Sequence, residues 1–282
     1  MPSPHSESDP IQILGFMLVK NEDRFVATAL RNALPLCDRF IVLDNQSSDH
    51  TRQQLDLVAQ ETSASHLEII DLEDVQTSQS YLEPYYGKKW WVFAVDGDEI
   101  YDPTGLTELR AGLQAGNHQD VWQVFGHVLH VTHWHQRNAT VRGYQSPPAR
   151  PMTKLYNFSF IESWTDCPER LHGGTLTFKS DIDAQKSRYV YFEHCSWEDS
   201  PFRCLHMVFM RRSSQKNTFQ YRNTPTEELN SSLFSQSWLA HLKYTLYQQV
   251  RVIRKKTGKD RAYRKGPHLL RDAHPFHISE YR

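Results

Sequence analysis

The sequence predicts an α/β fold in which helices flank a mostly parallel β-sheet. Short apolar runs at 11–19, 39–43, 66–72 and 90–95 alternate with helical patterns along the first hundred residues. This alternation is typical of parallel sheets, because two parallel strands must be joined by a crossover, usually a helix. Three of the runs also end in polar segments that carry carboxylates, and the ends of parallel strands are where such sheets bind ligands.

The individual elements follow from their patterns. The run at 11–19 precedes apolar residues at helical spacing over 23–36. The run at 39–43 precedes Asp49, which is placed to cap a helix that extends to about residue 61. In the later part of the chain, the patterns predict antiparallel strands at 120–135 and 153–160 and a further strand at 188–193. They also predict helices at 104–115, 203–213 and 236–256.

The domain organisation follows changes in composition. Residues 1–10 are polar and are expected to be a disordered N-terminus without a secretory signal. Residues 11–200 are predicted to form one α/β domain with a ligand-binding half at 11–102 and a second half at 103–200. Residues 201–282 are predicted to form a helical, basic C-terminal region.

Charge is distributed unevenly along the chain. Residues 201–282 contain 16 Lys and Arg against 5 Asp and Glu, a balance of +11, whereas the preceding residues contain 16 and 28, a balance of −12. The basic region is expected to face a diphosphate, an anionic glycan, a membrane surface, the acidic part of the chain itself, or only solvent.

Several classes of protein are disfavoured. No apolar run reaches the ~20 residues that a membrane-spanning helix needs. The four cysteines lack CxxC spacing, which favours reduced thiols in a cytoplasmic protein over a zinc site or disulfides. Neither a glycine-rich phosphate loop, a serine nucleophile elbow nor an RNA-binding aromatic motif is present, and no nucleic-acid partner is expected.

The strand at 90–95 leads directly into three acids, Asp96, Asp98 and Glu99. Two carboxylates this close repel each other, and a divalent cation such as Mg²⁺ or Mn²⁺ relieves that repulsion. Asp44 follows the second strand, and Lys20, Asn21 and Glu22 follow the first. These strand ends are expected to line one edge of the sheet and to bind a phosphate-bearing ligand.

Three segments together resemble family 2 glycosyltransferases of the GT-A fold, and in particular the subgroup that modifies lipopolysaccharide cores and related surface glycans. They are 19–22 (Val-Lys-Asn-Glu), 41–51 (Ile-Val-Leu-Asp-Asn-Gln-Ser-Ser-Asp-His-Thr) and 95–99 (Val-Asp-Gly-Asp-Glu), and the resemblance covers about residues 10–200. It implies a nucleotide-sugar-binding half at 11–102 and an acceptor half at 103–200.

The resemblance also implies roles for single residues. Asp44 would contact the nucleoside, and Glu22 would lie near the ribose or base. Asp96 and Asp98 form the D-x-D motif, which would hold Mn²⁺ or Mg²⁺ on the donor diphosphate, so Asp98 is counted with the catalytic groups. His194 would correspond to a later histidine that approaches the diphosphate or metal.

The catalytic base is expected in the second half of the chain. Glu169 follows the Lys154-Leu155-Tyr156 strand where the family places its base, although Pro168 stands where the family has histidine. Asp166 is the alternative base, and a surface Glu169 paired with Arg170 is the structural alternative.

Four histidines at 127, 130, 133 and 135 raise the question of a zinc site. In an extended strand, residues 127, 133 and 135 would share one face and 130 would point the other way. Residues 127 and 133 would also be ~20 Å apart at ~3.3 Å per residue, so these histidines are not expected to converge on one zinc ion.

The resemblance therefore implies transfer of a sugar, with inversion, from a nucleotide-sugar (first of all a UDP-sugar) to a glycan or a lipid-linked glycan. A cytoplasmic location is expected, with peripheral membrane contact through the basic region. Two alternatives remain: a sugar-phosphate nucleotidyltransferase, although the segment 17–22 is not its usual phosphate loop, and a non-catalytic nucleotide- or glycan-binding protein.

Overall fold

The computed structural model describes residues 10–62, 66–151, 153–167, 171, 173–179, 182–184, 186–215 and 262–278. Its strands are β1 (Gln12–Val19), β2 (Arg39–Asp44), β3 (Leu67–Asp71), β4 (Trp90–Val95), β5 (Glu99–Tyr101), β6 (Gln123–Phe125), β7 (His127–His135), β8 (Thr140–Ser146), β9 (Thr153–Asn157), β10 (Ile161–Thr165), β11 (Thr175–Phe178), β12 (Arg188–Val190), β13 (Arg203–His206) and β14 (His268–Asp272). Its α-helices are α1 (Val26–Ala33), α2 (Thr51–Thr62) and α3 (Pro103–Gln114).

The main sheet has seven strands in the order β12-β6-β9-β4-β1-β2-β3. β1 pairs in parallel with both β2 and β4, and β2 pairs in parallel with β3. β9 runs against its neighbours β4 and β6, and β12 is parallel to β6. The predicted α/β class with a mostly parallel sheet is therefore confirmed.

The two faces of this sheet are covered differently. The apolar residues of α1, α2 and α3 pack on one face, in a core that includes Val42 and Phe93. The other face packs against a 3₁₀ segment, Val75–Tyr85, and against the β10–β11 hairpin. Strands β1, β2 and β4 are consequently buried on both sides, which explains why they are continuous apolar runs without alternation.

A second sheet of five strands, in the order β14-β8-β7-β13-β5, continues from the end of β4. β5 begins at Glu99, the last of the three acids, and β13 pairs with both β5 and β7. This sheet has its own apolar core, which includes Leu129, Leu205 and Phe276. Because β5 and β13 lie side by side, the second sheet brings residues near 206 to the end of β4.

The C-terminal region, which the sequence predicts to be helical, contains two strands in the part that the structure describes, β13 and β14. Residues 203–213 were expected to form a helix, but Arg203–His206 form β13 and residues 207–213 contain no helix. A strand of four residues shows too little alternation to be identified from its own sequence, and its pairing with β5 and β7 fixes its conformation. Residues 1–9 and the predicted helix at 236–256 lie outside the described residues.

The remaining helix predictions agree closely with the structure. The Asp49 side chain accepts hydrogen bonds from the backbone N–H and the hydroxyl of Thr51, 2.9 and 2.5 Å away, at the start of α2. Asp102 caps α3 in the same way, by accepting from Thr104 N at 3.0 Å. In the part of the chain that the structure describes, no helix is long and apolar enough to cross a membrane.

Candidate functional site

The carboxyl ends of β1, β2 and β4 meet at one edge of the main sheet. Val19 is paired with Asp44, and Met17 is paired with Val95, so the segments that follow these strands emerge side by side. The structure therefore brings Glu22, Asp44 and the segment 96–99 to one edge, as the sequence predicts.

The segment 96–99 forms a tight turn held by reciprocal hydrogen bonds. The backbone N–H of Glu99 donates to the Asp96 carbonyl at 3.0 Å, and the backbone N–H of Asp96 donates to the Glu99 carboxylate at 3.1 Å. Asp96, Asp98 and Glu99 are all buried. Glu99 thus supports the turn that presents the two aspartates.

Lys154 places a buried cation between two of these acids. Its Nζ lies 3.0 Å from Asp96 Oδ2 and 3.1 Å from Glu99 Oε1. Lys154 extends from β9, the neighbour of β4 in the sheet, and its side chain is only 6% exposed. Since Lys154 already balances part of the charge on Asp96, the acid that is better placed to hold an added cation is Asp98.

Asp98 faces one group at the end of β13 and one group in the segment that follows β13. His206 Nε2 lies 3.7 Å from Asp98 Oδ2, and Arg212 Nη1 lies 3.8 Å from the same oxygen. Arg212 also donates to Glu22 Oε1 at 2.7 Å, so it links the end of β1 to the end of β4. Asp98 therefore has an imidazole on one side and a guanidinium on another.

Gly97 allows the ends of β1 and β4 to approach closely. A Cβ at residue 97 would lie 2.2 Å from Glu22 Oε2 and 3.0 Å from a methyl of Val19. The middle position of the D-x-D sequence therefore has room only for glycine while Glu22 keeps its place beside it.

A second group of contacts joins the ends of β1 and β2. The Asp44 carboxylate accepts from the backbone N–H and the hydroxyl of Ser47 at 3.1 and 2.5 Å, and the Ser47 hydroxyl accepts from Asn21 N at 3.0 Å. Burial raises the pKa of Asp44, and the hydrogen bonds from Ser47 oppose that rise. Lys20, beside Asn21, is half-buried at the end of β1.

The segment 211–215 packs against these same loops. Beyond the Arg212 contact, the Ser213 hydroxyl donates to Asp49 Oδ2 at 2.5 Å, and Ser214 N donates to Asp23 Oδ1 at 2.8 Å. A single short segment thus holds the loops after β1 and β2 in place next to Asp98.

Three of the β7 histidines, His127, His130 and His133, lie in different surroundings. His127 is hydrogen-bonded to the Cys195 carbonyl, 3.1 Å away, and His130 is buried against His206. His133 lies beside Thr132 on the exposed part of the hairpin, where a bulge between 131 and 133 breaks the predicted alternation of faces. In the described ranges, no group of three His, Cys, Asp or Glu side chains surrounds a metal position.

A divalent cation still fits beside Asp98 if the phosphate groups of a bound substrate and water complete its coordination. Two metal–ligand bonds of about 2.1 Å place their ligand atoms at most about 4.2 Å apart. The separation of 3.7 Å between Asp98 Oδ2 and His206 Nε2 is within that limit. Cations of this kind commonly take one or two protein ligands and fill the other positions with phosphate and water.

His194, the histidine predicted to approach the metal, lies elsewhere on the sheet. It is exposed, follows β12 at the edge of the main sheet, and stacks on Tyr189 with ring centroids 4.8 Å apart. The histidine that the structure brings to Asp98 is His206. Its sequence signal is weak, because only Cys204 and Leu205 form an apolar pair directly before it, and the pattern around it predicts a helix over 203–213.

The candidate bases can be placed only in part. Glu169, Pro168 and Arg170 lie outside the described residues. Asp166 is exposed after β10, has a left-handed backbone conformation with φ of 57°, and accepts from the Thr165 hydroxyl at 3.3 Å.

No protein-family model matches the chain, and no curated protein matches its sequence. Solved structures match parts of it. Staphylococcus aureus TarS 1-349 is 17% identical over 43% of this chain and 36% of that chain, with a TM-score of 0.30. Glucosyl-3-phosphoglycerate synthase from Mycobacterium tuberculosis, in complex with Mn²⁺, UDP and phosphoglyceric acid, is 18% identical over 40% of this chain and 42% of that chain, with a TM-score of 0.28.

A third match is the mannosyltransferase PcManGT from Pyrobaculum calidifontis, in complex with GDP-Man and Mn²⁺. It is 15% identical over 47% of this chain and 38% of that chain, with a TM-score of 0.30. Each of these three matches covers less than half of either chain, so the chemistry of the site rests on its own residues.

Proposed function

We propose that this chain is a metal-dependent glycosyltransferase, which moves a sugar from a nucleotide-sugar donor to an acceptor hydroxyl. The observation that supports the proposal is the convergence of three separate motifs, around Glu22, Asp44 and Asp98, at the ends of three adjacent parallel strands. These are the segments whose sequence resembles family 2 glycosyltransferases. They follow the carboxyl ends of parallel strands, and α/β sheets commonly bind nucleotides beyond such ends.

Asp98 and His206 would hold the divalent cation in this proposal. When bound, the cation would neutralise the negative charge that collects on the nucleoside diphosphate as the sugar leaves. The carboxylate suits both Mg²⁺ and Mn²⁺, whereas an imidazole nitrogen favours transition metals, so Mn²⁺ is the preferred ion. His194, which the sequence also suggests as a ligand, lies against Tyr189 and is less well placed.

The other groups at this edge would bind the donor. Asp44 lies at the end of β2 and would contact the nucleoside, with Lys20 and Asn21 beside it. Asp96 is held by Lys154, so it would accept a hydrogen bond from the donor sugar or ribose. Arg212, whose guanidinium lies 3.8 Å from Asp98, is within reach of a diphosphate bound there and would add positive charge on the leaving-group side.

The roles proposed for residues on the acceptor side of the reaction rest mainly on the sequence resemblance. Glu169 would remove the proton of the acceptor hydroxyl, with Asp166 as the alternative. Attack on the face opposite the diphosphate would invert the anomeric centre. The acceptor would be a surface glycan or a lipid-linked glycan, and the basic residues beyond 215 would provide peripheral contact with a membrane from the cytoplasm.

A thermal-shift screen tests the donor class. UDP-, GDP-, ADP- and CMP-linked sugars are each added with Mn²⁺ and, as a matched control, with EDTA. A ligand that binds only the folded state raises the melting temperature, by an amount that corresponds to about 2.7 kcal/mol at one hundred times its Kd. We expect a shift that requires both Mn²⁺ and nucleotide, largest for a UDP-sugar.

The same screen identifies the outcomes that contradict the proposal. If none of the nucleotide-sugars shifts the melting temperature in the presence of Mn²⁺, the chain does not bind this class of donor. Release of nucleoside diphosphate from the donor that binds distinguishes a transferase from a binding protein without turnover. Formation of a nucleotide-sugar and pyrophosphate, from a sugar phosphate and a nucleoside triphosphate, would instead identify a nucleotidyltransferase.

A further inference from the structure

Two buried histidines, His130 and His206, lie side by side on neighbouring strands of the second sheet. Glu99 of β5 is paired with His206 of β13, and His206 is paired with His130 of β7, so the three side chains lie in one row on one face. His206 and His130 approach through their Nδ1 atoms, which are 3.0 Å apart. His130 is fully buried, and His206 is 5% exposed.

The ring nitrogen of His130 that does not contact His206, Nε2, has a hydrogen-bond partner in the backbone. His130 Nε2 lies 2.9 Å from the carbonyl oxygen of Arg150. The backbone at Arg150 is also anchored, because its N–H donates to the Ala262 carbonyl at 2.9 Å. A carbonyl can only accept a hydrogen bond, so His130 Nε2 must carry a proton.

The proton on His130 Nε2 also determines which nitrogen of His206 carries a proton. A fully buried imidazole is more stable when it is neutral, and a neutral His130 with a proton on Nε2 presents a lone pair at Nδ1. Because the two Nδ1 atoms are at hydrogen-bond distance, the proton between them belongs to His206. His206 then carries hydrogen on Nδ1 whether its Nε2 is protonated or not.

We propose that His130 is a positioning residue that holds His206 with its proton on Nδ1 and its Nε2 directed at Asp98 as a metal ligand. This inference rests on the proposed function, because it concerns the cation held by Asp98 and His206. An isolated neutral imidazole has no such constraint, and the hydrogen bond at one ring nitrogen decides which atom is left to bind a metal.

The tautomer of His206 can be measured without any variant. Long-range ¹H–¹⁵N NMR spectra of the metal-free, full-length protein distinguish the two protonation patterns of a neutral imidazole. We expect His206 to carry its proton on Nδ1 and His130 to carry its proton on Nε2. A spectrum in which neutral His206 is protonated on Nε2 overturns the inference.

Variants then test the consequence for metal binding. Phenylalanine at residue 130 keeps a ring of similar shape but removes the acceptor, so His130→Phe is expected to bind Mn²⁺ about 10–100-fold more weakly. His130→Asn offers an amide oxygen near the position of Nδ1 and is expected to recover part of that loss. Affinities are measured by the electron paramagnetic resonance signal of free Mn²⁺.

His127→Phe is the matched control. His127 lies on the same strand, is also buried, and also bonds a backbone carbonyl, that of Cys195 at 3.1 Å, but its aromatic neighbours are Phe192 and Trp197. It is expected to keep the wild-type affinity for Mn²⁺. Equal affinity of wild type and His130→Phe would contradict the role of His130.

The two proposals fail in different ways. If wild type binds Mn²⁺ and nucleoside diphosphate, and His130→Phe binds both equally well, only the inference about His130 is wrong. If wild type binds no Mn²⁺ even with UDP present, the metal-dependent function is wrong and His206 has no ligand role, whatever its tautomer.

Discussion

Replacing Asp98 by asparagine is expected to remove Mn²⁺-dependent turnover of the nucleotide-sugar, with a fall in kcat of about 10²–10³-fold or more. Asparagine keeps the size of the side chain but removes its charge, so the cation would lose the carboxylate ligand that the proposal assigns to it. Release of nucleoside diphosphate measures the rate, and free Mn²⁺ measures the affinity.

Asp71→Asn is the control for this change. Asp71 also ends a strand of the same sheet and lies opposite Asp44, but it is exposed and pairs with Arg52 on α2. Its replacement is expected to leave both turnover and Mn²⁺ affinity unchanged. If Asp98→Asn retains wild-type turnover with Mn²⁺, the assignment of the metal to this edge is wrong.

Replacing Lys154 by methionine is expected to lower the free energy of unfolding by about 3–5 kcal/mol. Methionine occupies a similar volume, but it leaves the buried Asp96 and Glu99 without the cation that lies about 3 Å from each. Urea denaturation followed by circular dichroism measures the change.

Lys186→Met provides the matched comparison. Lys186 forms an ion pair with Asp183 at 3.2 Å, but its side chain is 87% exposed, and surface pairs of this kind contribute little. Its replacement is expected to leave the urea midpoint unchanged. A Lys154→Met protein as stable as Lys186→Met would mean that the acids at the end of β4 do not depend on a buried cation.

The sequence was most informative about the parallel strands and the acids that follow them. β1, β2 and β4 are buried on both faces, so each is a continuous apolar run whose end is marked by the first polar residues. Glu22, Asp44 and Asp98 could therefore be grouped at one edge from topology alone, because parallel neighbours end on the same side.

The partners of those acids could not be predicted in the same way. Lys154 lies 58 residues from Asp96, and Arg212 lies 190 residues from Glu22. These contacts depend on β9 pairing next to β4 and on the return of the chain through β13. His206 was missed for this reason, since its strand is too short to be recognised without β5 and β7 beside it.

The position of the predicted metal ligand His194 illustrates the same limit. Sequence similarity placed a histidine after a late strand, and both His194 and His206 satisfy that description. Only the sheet order separates them, because β12 lies at the edge of the main sheet while β13 adjoins β5, which begins at Glu99.

Anomalous X-ray scattering from crystals grown with Mn²⁺ and UDP tests the central claim most directly, because it locates the metal without assuming any activity. We predict one strong manganese peak bonded to Asp98 Oδ2 and His206 Nε2, with the diphosphate completing its coordination beside Arg212. A peak at His194, or bound UDP with no manganese between Asp98 and His206, would contradict this account of the site.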